Sequence, residues 1–184
     1  MFHPIVRYPA GVLTGVAEPV AEFDESLLAL AKDLERTCLE YDGVGLAAPQ
    51  IGVNKRVALI YPRGNAPYVL VNPTWRPAPV STSMVVEEGC LSLPGLLVDI
   101  ERLDRIEVQA LTVNREPLEF TAEGLQARII QHEIDHLEGR LIVDHLTPTK
   151  RSLVLHAFRK NLKKTTRRFH DAVRHGGVSL RKTA

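Results

Sequence analysis

Residues 131–136 read Gln-His-Glu-Ile-Asp-His. On an α-helix each residue turns the chain about 100°, so His136 returns to within roughly 40° of His132, one turn along. Both imidazoles then leave one face and can grip a single metal ion. Glu133 follows the first histidine directly. There it can serve as a general base toward a water that the ion activates, without itself occupying the ion. Two histidines can share a buried helix face by accident of packing. The complete His-Glu-x-x-His pattern argues for a metal instead.

A third donor decides the chemistry. The metzincin type of zinc protease continues the pattern with x-x-Gly-x-x-His. Here Gly139 keeps the glycine, but Ile142 stands at the third histidine position and His145 is out of phase. Gluzincins take a glutamate from a later helix, and the segment that follows offers only Asp171. Both protease readings are weakened. Cys90 is the natural alternative, because a thiolate is a good donor to Fe(II) or Zn(II). It lies in Glu88-Gly89-Cys90-Leu91-Ser92-Leu93-Pro94-Gly95, where glycine permits close backbone approach and proline breaks a strand ladder. Two imidazoles and one thiolate leave an open position, the mark of a catalytic site. The small-residue segment Gly43-Val44-Gly45-Leu46-Ala47-Ala48-Pro49-Gln50 also invites close approach, and Gln50 adds an amide donor. Phosphate binding by this segment is unsupported, since no strand is read before it and no helix after it.

These residues need elements to hold them. A helix is expected over 24–41, with Leu27, Ala31, Leu34 and Cys38 on one face, which makes Cys38 a core residue. Asp42-Gly43 ends it. Strands are expected at 56–61, 68–72, 84–87, 96–101, 105–112 and 118–121, with a turn at 62–65. The metal helix should run from about Gly124 to Leu137, closed by Gly139. A third helix is expected from Pro148 to about His170, with Thr147 as its N-cap. Few helices and many short strands, without a βαβ rhythm, predict an α+β domain.

The composition agrees with a single folded body. The chain has 184 residues, 45% of them apolar, enough for one sizeable core. No apolar run approaches the roughly 20 residues that span a bilayer, and the first twelve residues lack a signal pattern. A cytoplasmic protein is expected, with neither a membrane nor DNA as partner. Two cysteines suit a reducing compartment. The net charge of +1 hides an asymmetry: residues 150–184 hold 11 Lys/Arg and one acid, leaving 12 bases and 21 acids before them. Such a tail is usually a solvated face. The sharper reading is contact with a polyanion such as RNA.

Together, Gly43–Gln50, Glu88–Ser92 and Gln131–His136 resemble the three motifs of the peptide deformylases, Gly-x-Gly-x-Ala-Ala-x-Gln, Glu-Gly-Cys-x-Ser and Gln-His-Glu-x-Asp-His, in that order. The resemblance covers roughly residues 5–147. It implies a catalytic domain over 1–147, with antiparallel sheets around a central metal-binding helix, and a basic C-terminal helix and tail over 148–184. It implies a metal bound by Cys90, His132 and His136, Fe2+ in most members, with Zn2+, Ni2+ or Co2+ able to replace it. Glu133 is then the acid and base. Gln50 and the Leu91 N–H form the oxyanion site, and the Gly45 and Gly89 backbones pair with the substrate as an added strand. Val44, Val86, Leu125 and Ile129 are the candidates for the methionine pocket. The implied substrate is an N-formylmethionyl nascent peptide and the product formate. The basic tail would then dock on the ribosome.

Two departures stand out. Many members carry an arginine near position 97, where this chain has Leu96-Leu97 and the next arginine is Arg102. Arg128 replaces an apolar residue found in some members, and it is expected to point outward rather than crowd the pocket mouth. Three rival readings remain open: a related hydrolase that lost specificity for the formyl group, a zinc module that binds RNA through its tail, and a cysteine hydrolase with Cys90 as nucleophile.

Overall fold

A computed structural model describes residues 2–62 and 64–160. The chain divides between His145 and Leu146. In the first unit the described residues form helices α1 (Glu25–Glu40) and α2 (Gly124–Leu137) and strands β1 (Gly45–Ala47), β2 (Val57–Ile60), β3 (Tyr68–Pro77), β4 (Ser83–Gly89), β5 (Leu97–Leu103), β6 (Arg105–Leu111) and β7 (Pro117–Glu123). Short 3-10 turns lie at Gly11–Leu13, Ala48–Ile51 and Ile142–His145. In the second unit residues 148–160 are helical. Thr147 starts that helix, its carbonyl accepting from the Arg151 N–H at 2.9 Å. The expected continuation to His170 lies outside the described residues.

Five strands form one antiparallel sheet in the order β1-β2-β3-β6-β7, and β4 pairs with β5 in a separate hairpin. Every residue of β2 is buried, because its alternating side chains feed two cores. Ala58 and Ile60 join Leu70, Ile106 and Val108 against Ala127, Ile130, Ile134 and Leu137 of α2. Val57 and Leu59 face the other way, toward Leu27, Leu34 and Cys38 of α1. The sheet therefore lies between the two helices, and α2 is held along its length by apolar burial. Burying each of the Val, Leu and Ile side chains among them contributes about 1.5–3 kcal/mol. Asp24 caps α1 by accepting from the Ser26 and Leu27 N–H groups, satisfying donors that the first turn leaves free.

One strand was not expected, and another runs further than expected. Gly45–Ala47 is a buried edge strand paired with Ala58–Ile60, where the sequence reads as a small-residue turn. β3 runs on past Asn72-Pro73, because the register shifts between Val71 and Thr74. Asn72 takes φ +52° and its amide clasps the Val20 backbone at 2.8 and 2.9 Å. The irregularity places a proline where no ladder N–H is needed.

Candidate metal centre and active site

Four elements converge at one end of α2. His132 and His136 stand on its face, one turn apart, with ring centroids separated by 5.1 Å. Cys90 follows β4 directly and begins a turn closed by the Leu93 N–H on the Cys90 carbonyl at 2.9 Å. Cys90 Sγ lies 3.2 Å from His136 Nε2. One donor atom each from Cys90, His132 and His136 falls within 4.8 Å of the other two. Bonds of about 2.3 Å to sulfur and 2.0–2.1 Å to nitrogen at a tetrahedral centre put such donors about 3.5 Å apart. The set therefore fits one ion. The Cys90 thiol is also prepared for it: burial alone would raise its pKa, but His136 and His132 outweigh burial and bring it well below the usual value. A thiolate is the form a metal requires.

Gln50, 2% exposed, sits in the 3-10 turn after β1. Its carbonyl accepts from the Ala47 N–H at 2.8 Å, which turns its amide nitrogen toward Cys90 Sγ (3.8 Å) and Ser92 Oγ (3.4 Å). The turn at Cys90 leaves the Leu91 N–H unused by its own closing bond. The N-terminal segment joins these two loops: the Val6 N–H donates to the Gln50 carbonyl and the Tyr8 N–H to the Ser92 carbonyl, at 2.8 and 3.0 Å.

Glu133 is buried beside the histidines, and its Oε2 has no hydrogen-bond partner among the described residues. Burial pushes its carboxyl up to about 7, against the cationic pull of His132 and His136. A group poised there can both take and return a proton near neutral pH. Gly45 is required for this placement. A Cβ at that position would meet Glu133 Oε1 at 2.5 Å and Ile129 Cγ2 at 2.8 Å.

A cavity of about 580 Å³ opens over the centre. Of the expected residues, Val44, Gly45, Gln50, Gly89, Cys90, Leu91, Leu125, Ile129, His132 and Glu133 line it, and Arg128 does too. Arg128 is half-buried in the cavity wall, not turned outward. Val86 is not among the residues lining this cavity. The β4 wall begins at Glu87, and Val86 pairs with Ile100 further along the hairpin. Along the strand it shares the face of Glu88, about 6.6 Å away.

The residues that sequence reading missed lie behind His132. Glu88 Oε2 holds His132 Nδ1 at 2.9 Å. Arg102 grips both Glu88 oxygens at 3.0 Å and donates to Asp135 Oδ2 at 2.6 Å. His145 Nε2 meets the same Asp135 oxygen at 2.7 Å. Burial alone would raise the Glu88 carboxyl, but hydrogen bonds from His132 and Arg102 bring it to about 2. Such a carboxylate fixes the ring orientation of a ligating histidine, so that Nε2 faces the ion. Glu88 and Asp135 both stand inside the quoted motifs, which was the available signal. Arg102 had none.

A Cys-His-His centre beside a buried glutamate, open to a cavity on an α+β fold, defines a metal-dependent hydrolase. The polypeptide deformylase family matches residues 2–152. The peptide deformylase of Alkalilimnicola ehrlichii is 42% identical over 179 residues, 96% of this chain and 93% of its own length. The crystal structure of the Legionella pneumophila peptide deformylase superposes with a TM-score of 0.81 at 39% identity, covering 91% of this chain and 99% of that one. The Acinetobacter baumannii peptide deformylase with Met-Ala-Ser bound gives 0.75 at 34%, covering 79% and 99%. The chain belongs to the polypeptide deformylase family. It is a metal-dependent hydrolase that removes the N-formyl group from nascent peptides.

Proposed function

We propose that Cys90, His132 and His136 hold Fe2+ and that the residues around them carry the deformylation of N-formylmethionyl peptides. The observation that carries this reading is the convergence of the three donors beside Glu133. Zn2+, Ni2+ and Co2+ suit the same donors. A divalent cation there supplies Lewis acidity, making water a nucleophile near neutral pH and polarising a carbonyl.

The chain's own groups do the rest. The peptide lies as an added strand between the open edges of β1 and β4, meeting the backbones of Gly45 and Gly89. Its methionine side chain enters between Val44, Leu125 and Ile129. The Met-Ala-Ser complex of the Acinetobacter baumannii relative supports a peptide seat of this kind. Glu133 takes a proton from the attacking water and delivers it to the amide nitrogen as the C–N bond breaks. Formate and a free amino terminus result. The Gln50 amide and the Leu91 N–H donate to the developing oxyanion, and loss of one such donor typically costs about 10²–10³ in rate.

Formate release from formyl-Met-Ala-Ser and from acetyl-Met-Ala-Ser tests the reading, with turnover expected only for the formyl peptide. Equal rates, or none with the formyl peptide, would count against it. Glu133→Ala should lower kcat by about 10²–10⁴ with metal content retained. Iron should predominate in protein purified without oxygen, and zinc alone would overturn the choice of Fe2+. The substrate also argues for a cytoplasmic location and for a ribosomal contact through the basic segment 148–184. Cosedimentation of the full chain and of 1–149 with ribosomes across a salt series checks that contact. Equal binding by the two would remove it.

A further inference from the structure

The α2 wall of the cavity carries Leu125, Arg128, Ile129, His132 and Glu133. Arg128 alone among these has no role in the reading above. It is half-buried, and no described residue gives it an ion pair or a hydrogen bond. A guanidinium that has lost part of its hydration without gaining a counter-charge is a ready site for an anion.

Two periodicities say which part of the substrate reaches it. Four residues before His132, Arg128 lies on the same stripe of the helix, about 6 Å toward Leu125. Leu125 is 44% exposed and marks the mouth, whereas Ile129 at 3% lies at the floor. In an extended peptide, side chains alternate between faces, and the first and third share one face about 6.8 Å apart. With the methionine side chain seated between Val44, Leu125 and Ile129, the second side chain points away from α2 and the third returns to it. We propose that Arg128 is a specificity residue selecting an acidic side chain at the third residue of the formyl peptide, counting formylmethionine as the first. This rests on the peptide seat proposed above.

The remaining charged groups in the cavity outside the catalytic set are Arg7, Asp42, Glu87 and Glu88. Glu88 is held by Arg102 and His132. Arg7 comes from the N-terminal segment, Asp42 from the loop before β1 and Glu87 from β4. Acids therefore line the same cavity as the arginines, and anionic peptides are not drawn in wholesale. The discrimination is local to the position beside Arg128.

Formyl-Met-Ala-Glu-amide and formyl-Met-Ala-Gln-amide test the assignment, the amide removing the terminal carboxylate. The glutamate peptide should show a kcat/KM about fivefold to tenfold higher, mainly through KM, with the advantage shrinking as salt rises. Arg128→Gln should bring the ratio to within twofold of one. Arg128→Glu should reverse it in favour of formyl-Met-Ala-Lys-amide. Arg7→Gln should leave the preference standing. Equal rates for the two peptides with the native protein, or a preference that survives Arg128→Gln or vanishes in Arg7→Gln, would overturn the proposal. Dissociation constants of the products Met-Ala-Glu-amide and Met-Ala-Gln-amide read the same ratio without turnover. If neither formyl peptide is hydrolysed, the hydrolase reading fails, and the binding ratio still decides the role of Arg128.

Discussion

Cys38 and Cys90 are both buried thiols, at 0% and 9% exposure, yet they have opposite chemistry. Cys38 sits on the face of α1 among Leu27, Leu34, Leu46 and Leu59. Burial, with some help from the Glu133 charge, pushes its thiol up to about 12. At Cys90 the same burial is outweighed by two histidines, and the thiol falls well below its ordinary value. Burial therefore does not decide what a cysteine does; the groups that replace its water do. Cys38 still serves the site at one remove. Its carbonyl accepts from the Gly43 N–H at 2.9 Å, and a Cβ at Gly43 would meet its Sγ at 3.0 Å. It packs beneath the loop that leads into β1.

The comparison can be broken in four ways. The largest effect belongs to Cys90→Ala, which should remove bound metal and formate release together, while Cys38→Ala keeps both. Loss of metal from the Cys38 variant would make the two thiols alike. Next is thiol reactivity. After metal removal at pH 8, iodoacetamide should modify Cys90 and spare Cys38. With its pKa near 12, Cys38 is thiolate in only about one molecule in 10⁴ at that pH, and its reactivity should climb about tenfold per unit as pH rises. Reloading metal should protect Cys90. A protein in which Cys38 labels first at pH 8 would contradict both environments.

A smaller effect is expected behind His132. Glu88→Gln keeps the shape but removes the carboxylate from His132 Nδ1 and from Arg102, and should weaken metal affinity about 10- to 100-fold. Unchanged affinity would mean that the pair serves folding alone. The smallest effect is the stability of the Cys38→Ala variant. Removing one buried heavy atom should cost about 1 kcal/mol and lower Tm by about 2–4 °C, a shift read by thermal denaturation.

What could be read from the sequence was whatever is local along the chain. His132, Glu133 and His136 lie within one helical turn and a half, so their shared face follows from helix geometry alone. The α2 bounds at Gly124 and Leu137 agree with the expected ones. Cys90 and Gln50 were reached through short motifs and through the resemblance. Pairings between distant residues had no such signal. Arg102 finds Asp135 33 residues away and Glu88 14 residues away, and nothing in its neighbours marks it as buried. A strand's alternation gives the face of Val86 but not how far the pocket extends along it. Arg128 was misread because a charged residue on a helix is usually solvated, and only the packed fold shows a wall there. β1 was hidden because Gly, Leu and Ala carry no strand propensity, and its pairing with β2 supplies the order instead.

X-ray absorption at the metal edge of the zinc-loaded protein tests the central claim most directly. The account predicts one sulfur donor at about 2.3 Å and two imidazole nitrogens at about 2.0–2.1 Å for one ion per chain, with the sulfur lost in Cys90→Ala and retained in Cys38→Ala. A shell of nitrogen and oxygen alone, or a sulfur that survives Cys90→Ala, would contradict it.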